Sequence, residues 1–391
     1  MYFILALPIS LLVLLLLHTF KGKLTSILPY LFFFVGPVLT YFGVIGVLTG
    51  FNANGSNSIY FGISFYTVFI AYQISKFRSL LLRSPLKFVI SVLNPLYLFT
   101  GPIPNSLKYL SQNLTFKKTI RRLATVNADL ILGVLFSSVL APSFKPFFYL
   151  KQSTEILDII LFGIIFEFYV YFNFAGFSMI AWSLMRLFGI SVQRNFRQPF
   201  GATSIVEYWQ RWHISLSNIL KELFFVMLKP VIGIYTTVFI VFIASAIWHG
   251  VSANFAIWGL FHASLWCIAY YSYKQKFKIF NYILLIFGVI IGRVIFSEID
   301  LAFLWLKIQS LINIFQWSLN SEFVMPQISL VSGCNLIMAL VLIGFEVLLP
   351  RLGFLNNNYC HLKTPVVSSL ILLYTCLVFT GLGGAPIYGN R

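Results

Sequence analysis

Tyr208-Trp209-Gln210-Arg211-Trp212-His213-Ile214-Ser215-Leu216-Ser217 is a polar, tryptophan-rich stretch, and the apolar run beyond it ends in Ile247-Trp248-His249-Gly250. Just ahead of it stands Asn195-Phe196-Arg197-Gln198-Pro199-Phe200, where a proline interrupts helix formation. Two of the five histidines therefore sit beside tryptophans, one where the chain enters an apolar region and one where it leaves. An imidazole set in an apolar wall is expensive to keep unless its proton chemistry is used. Read outward, the stretch is a polar island in a chain that is otherwise Leu, Ile, Val and Phe.

That surrounding composition decides the fold. Of 391 residues, 59% are hydrophobic and 9% charged, with a mean hydropathy of +0.89, which leaves too little polar surface to coat a soluble globule. The expected fold is all-α, a polytopic integral membrane protein, because helices satisfy their own backbone in lipid. Apolar runs long enough to span lie near 2–17, 28–50, 57–74, 125–147, 155–173, 231–247, 251–273, 279–296, 328–349 and 366–382. Shorter or interrupted runs lie near 88–100, 175–190 and 301–318. Together they predict about eleven spans, with re-entrant or interfacial pieces among the rest. The opening run Met1 to Leu17 has neither a basic n-region nor a small-residue cleavage site, so it reads as the first membrane helix. No linker or fixed-period repeat divides residues 1–391, which form one integral domain with a motif-rich core at about 95–300.

The net charge of +17 arises from 27 Lys and Arg against 10 Asp and Glu. The basic residues fall in short clusters between apolar runs, the positive-inside pattern rather than a nucleic-acid face. Lys21 and Lys23 follow the first run and Lys76, Arg78, Arg83 and Lys87 follow the third, whereas Phe51 to Ser58 between them is uncharged. The N-terminus is thus expected outside, and Lys117, Lys118, Arg121, Arg122, Arg194, Arg197, Arg211, Lys274, Lys276 and Lys278 on the cytoplasmic side. Cys267, Cys334, Cys360 and Cys376 show no CxxC spacing and read as buried thiols. Proline and glycine break helices from Gly101-Pro102-Ile103-Pro104 to Leu123 and from Gly189 to Ser217. Non-helical backbone at membrane depth lines cavities or lies buried in protein, so these segments are the expected walls of a site.

In chain order, Gly101-Pro102-Ile103, Phe172-Asn173-Phe174-Ala175-Gly176-Phe177-Ser178, Asn195 to Phe200, Trp209 to Ser217 and Trp248-His249-Gly250 resemble the membrane-bound O-acyltransferase family. The resemblance is to its bacterial branch, which acetylates alginate or D-alanylates teichoic acid, and it covers about 95–300 with a fainter echo at Pro386-Ile387-Tyr388. It implies that His249 is the catalytic histidine and His213 the second polar position of the active site. It further implies a thioester donor, acyl-CoA or an acyl carrier protein, and as acceptor an envelope polysaccharide or an extracytoplasmic acyltransferase partner. A bacterial cytoplasmic membrane is the implied location. The chain departs from the branch at Met179, where an acid is usual, at Lys221-Glu222, which replaces an Arg-Asp pair, and at Met227-Leu228-Lys229-Pro230, which replaces a Gly-Gly-Asn-Arg loop. Acetyl is the preferred group on a weak likeness of Gly292 to Ser297 to the alginate branch, with D-alanyl as the alternative.

The residues alone point the same way. Acyl transfer from a thioester to a hydroxyl needs a base for the hydroxyl proton, and a neutral imidazole suits that task. There is no Gly-x-Ser-x-Gly elbow and no cysteine in an electropositive setting, so direct transfer with His249 as base is preferred over a covalent acyl enzyme. Substrate contacts are expected from Asn195, Arg197, Arg211 and Ser217, the arginines steering a phosphate-rich donor. Trp209, Trp212 and Trp248 flank the histidines and either wall an acyl tunnel or are membrane packing. His262 is a further candidate for the same cavity, while His18 and His361 read as solvated bystanders. The histidine spacing is not a metal-ligand signature, so no metal is predicted and no bound cofactor. Glu167, alone in an apolar run, is neutral or paired, with Arg186, Arg211 or Lys221 as partner. A proton-coupled transporter or flippase using Glu167 and the histidines is the alternative of a different class.

Overall fold

The computed structural model describes residues 2–19, 24–41, 58–92, 101–103, 126–190, 192–275, 277–313, 321, 323, 326 and 330–348. Every regular element among them is helical. Helices Tyr2–Thr19, Leu24–Tyr41, Ser58–Arg83 and Pro85–Val92 come first, and the later apolar runs become Ile234–His249, Ala253–Lys274, Lys278–Ser297, Leu301–Ile312 and Leu330–Leu348. Four helices among the described residues are long and apolar enough to cross a membrane: Val126–Gln152, Ile156–Leu187, Lys278–Ser297 and Leu330–Leu348. Ile234–His249 and Leu301–Ile312 are apolar but shorter. The run expected at 366–382, the neutral connection 51–57, Lys21, Lys23, the basic cluster at 117–122, Cys360, Cys376 and His361 lie outside the described residues.

Two expected segments, 155–173 and 175–190, are one continuous helix of 32 residues, Ile156–Leu187. At 1.5 Å per residue it is about 48 Å long, more than the hydrocarbon core requires. Gly176 does not break this helix. A Cβ built there would meet the backbone N of Ser137 at 2.5 Å and the carbonyl of Gly133 at 2.7 Å, so the small residue lets two helices touch backbone to backbone. The partner, Val126–Gln152, contains a π-helical turn at Leu135–Leu140 and continues as 3-10 helix over Ala141–Gln152, where Pro142 and Pro146 supply no N–H. Phe136, Phe144, Phe162, Phe172 and Tyr171 fill this junction.

The polar island folds as short pieces laid against these spans. Pro199–Gly201 is a single 3-10 turn, followed by helices Ile205–Arg211 and Ile214–Leu220. A π-helical turn, Lys221–Phe225, then leads into Val226–Ile232. Ser204 starts the first short helix by accepting from the Glu207 backbone N–H at 3.2 Å. The breaks come from two residues in the left-handed region, Gln198 at φ 49° and His213 at φ 42°. Such geometry costs a non-glycine residue free energy and persists only where surrounding contacts hold it. The cysteine expectation needs correction: Cys267 is half-buried and Cys334 is exposed on an apolar helix, both as free thiols. In a membrane helix, an exposed thiol of this size meets lipid at little cost.

Candidate active site

Three separated segments meet at the His213 turn. The Ile214 N–H donates to the Asn195 carbonyl at 2.8 Å, and the Ser215 N–H donates to the Asn195 side-chain oxygen at 3.3 Å. The Ile103 N–H in turn donates to the Ser215 hydroxyl at 3.0 Å. Gly101 packs so closely on Asn195 that a Cβ there would lie 2.9 Å from the amide nitrogen. The sequence stretches around 101, 195 and 213 are therefore one structural unit. It fixes His213, whose ring is buried against Phe174, Phe65 and Trp248 with centroids 4.8, 6.0 and 5.5 Å away. The Nε2 atom of His213 is buried without a protein hydrogen-bond partner, a costly arrangement that a substrate group in the adjoining cavity would relieve.

His249 is the last residue of helix Ile234–His249. Its ring lies 4.8 Å from Trp248, 5.0 Å from Phe296 and 5.5 Å from Trp258, centroid to centroid. A Cβ on the following Gly250 would strike the Phe255 ring at 2.6 Å, which explains glycine at this exit. Trp248 touches both imidazoles. His213 and His249 open on one cavity of about 490 Å³. Its deep walls are apolar and aromatic, including Phe166, Phe242 and Trp258, while Gln193, Arg197, Gln210 and Lys221 also line it, Arg197 and Lys221 at exposed positions. This is the distribution of a small-molecule site, largely apolar with few polar groups.

Of the residues singled out in sequence, His213, His249, Arg197, Trp209, Trp212 and Ser217 line the cavity. Asn195 and Trp248 stand behind its wall, Asn195 as the pin just described. Arg211 is also off the cavity: it is paired with Glu207 within one short helix and donates to the Gln198 carbonyl at 3.1 Å. Glu207 additionally accepts from the Thr203 N–H at 2.7 Å, so this helix is tied down at both ends. His262 is buried among Trp209, Trp258 and Phe242, and its edge is closed by Gly292 rather than by the cavity. Among the described residues, no three His, Cys, Asp or Glu side chains group as a metal site.

Glu167 corrects the sequence reading. Its partner is Arg293, 126 residues away on helix Lys278–Ser297, and not Arg186, Arg211 or Lys221. Arg186 instead lies over Trp182 at 4.9 Å, and Lys221 is exposed at the cavity. The Tyr208 hydroxyl donates to the other Glu167 oxygen at 2.7 Å. Arg293 was missed because its stretch, Gly292 to Ser297, was read only for family likeness. A second ion in an apolar run, opposite the first, was the available clue.

Fold and site together define a class: a helical membrane protein with an interior cavity that presents two imidazoles to an apolar chamber. Residues 92–274 match the sequence model of the membrane-bound O-acyltransferase (MBOAT) family. Its relatives include the probable alginate O-acetylase AlgI of Pseudomonas syringae pv. tomato, 31% identical over 141 residues, which is 34% of this chain and 27% of the relative. The peptidoglycan O-acetyltransferase of Helicobacter pylori is 37% identical over 102 residues, 25% of this chain and 19% of the relative. The teichoic acid D-alanyltransferase of Bacillus subtilis is 27% identical over 164 residues, 38% of this chain and 41% of the relative. The matched part is thus less than half the length of each of these relatives.

Proposed function

We propose that this chain is a membrane-bound O-acyltransferase that moves an acyl group, acetyl in the first instance, from a thioester to a hydroxyl. The donor is acyl-CoA or an acyl carrier protein, and the acceptor is an envelope polysaccharide or an extracytoplasmic partner that modifies one. The observation that carries this reading is the shared cavity of His249 and His213, within a segment matching an O-acyltransferase family. His249 takes the proton of the acceptor hydroxyl as its oxygen attacks the thioester carbonyl. The C–S bond then breaks and the proton passes from the imidazolium to the departing thiolate, giving ester and thiol. His213, with Nε2 turned to no protein partner, orients the acceptor. Arg197, exposed and lining the cavity, attracts the donor phosphate.

Removing a general base lowers rate by roughly 100- to 10,000-fold. His249→Ala should insert like the parent, bind donor and transfer almost nothing in an assay with labelled thioester, and His213→Ala should be impaired less. Near-parental transfer by a folded His249→Ala protein would sink the mechanism. The Bacillus subtilis relative favours D-alanyl as the second candidate group, and labelled acetyl and D-alanyl donors tested side by side separate the two. In the proton-coupled transporter reading Glu167 would be a relay, a role at odds with a carboxylate held by both Arg293 and Tyr208.

A further inference from the structure

Arg293 is 6% exposed and is one of the residues lining the cavity. Its Nε–H is committed to Glu167, and its guanidinium lies over the Trp212 ring at 4.6 Å and beside the Phe296 ring at 5.8 Å. Phe296 is also 5.0 Å from the His249 imidazole, so guanidinium and imidazole neighbour one aromatic ring and line one chamber. The other two lining cations, Arg197 and Lys221, are exposed, which leaves Arg293 as the buried arginine or lysine among the described lining residues. Glu167 cancels its charge and Tyr208 steadies Glu167, so the guanidinium is fixed in place without a net charge in the apolar interior. A preset N–H donor in a largely apolar chamber is most effective where negative charge develops during reaction.

From this geometry we propose that Arg293 polarises the thioester carbonyl and holds the oxyanion formed on acceptor attack, with Glu167 and Tyr208 as its positioning residues. The proposal rests on the acyl-transfer reading above. As the acceptor oxygen bonds to the carbonyl carbon, the C=O π pair moves onto oxygen and is met by a guanidinium N–H. Collapse reforms C=O and expels the thiolate, which takes the proton held by His249. Arg293 itself gains and loses nothing.

A purely structural role, neutralising Glu167, predicts a different outcome, and Glu167→Gln/Arg293→Met tests it. Removing both partners leaves no unpaired buried charge, so the protein is expected to insert and fold. If Arg293 holds the oxyanion, kcat should fall roughly 100- to 1,000-fold while donor KM stays within about threefold. Parental kcat, or a change confined to KM, overturns the proposal. Should that variant not accumulate, Arg293→Lys reads the same question, because its ammonium still pairs with Glu167 but lacks the planar fork. A kcat lower by about tenfold or more at unchanged KM supports the proposal, and parental kcat overturns it. If His249→Ala is inactive while either Arg293 variant is fully active, this proposal alone fails. If His249→Ala is active, the acyl-transfer reading fails with it.

Discussion

Asn195 pins the main chain of the His213 turn. By accepting from Ser215 and Ile214 it holds the turn that forces His213 into a left-handed conformation, and it is itself 2% exposed. Asn195→Ala leaves the Ser215 N–H without its side-chain acceptor and should lower stability by about 1–3 kcal/mol. The check is thermal unfolding in detergent alongside kinetics: Tm and kcat should fall while donor KM holds, because the displaced group is His213. An unchanged Tm would show that the turn stands without the pin. At this scale the histidines were legible because an imidazole in an apolar run has few cheap explanations. The pairing of Glu167 was not, since nothing local in sequence joins residues 126 positions apart. Arg211 illustrates the opposite error, a cation that looks available in sequence but is held by Glu207 four residues away.

The most demanding contact between elements is the crossing of Val126–Gln152 with Ile156–Leu187. Gly133 and Gly176 each face the other's backbone so closely that a Cβ at either would lie 2.8 Å or less from the opposite carbonyl. Gly176→Leu must therefore push the helix that carries Phe166, Val170 and Phe174 of the cavity wall away from its partner. Overpacking of this kind costs about 1–3 kcal/mol or more, and we expect a lower Tm with reduced activity. A Tm equal to the parent's would mean that the helices can part freely. The same crossing explains why the sequence divided Ile156–Leu187 into two segments. Ala175-Gly176 looks like a helix break when read alone, and only the facing helix gives the glycine its purpose. The π turn at Leu135–Leu140 has no sequence signal comparable to the prolines that follow it.

For the molecule as a whole, composition carried the all-helical membrane class, and most apolar runs correspond to helices with ends shifted by a few residues. Which helices cross is a matter of length and burial that periodicity does not encode, and four meet the length and composition test among the described residues. Orientation rests on charge: Lys76 and Arg83 close helix Ser58–Arg83, and the connection before that helix is neutral. A cysteine at Ser56 should react with an impermeant thiol reagent on intact cells and one at Ser84 should not, both read against a background in which the native cysteines have been replaced. Labelling at Ser84 with Ser56 protected would invert the topology and place the Arg197 side of the cavity outside.

Trp248 is buried between His213 and His249, with its ring 5.5 and 4.8 Å from theirs. An excited indole gives up an electron readily to an imidazolium and poorly to a neutral imidazole. In a variant that keeps Trp248 and replaces the other seven tryptophans, its fluorescence should therefore dim when His249 takes up a proton, giving the proposed catalytic base an optical reporter without any added dye.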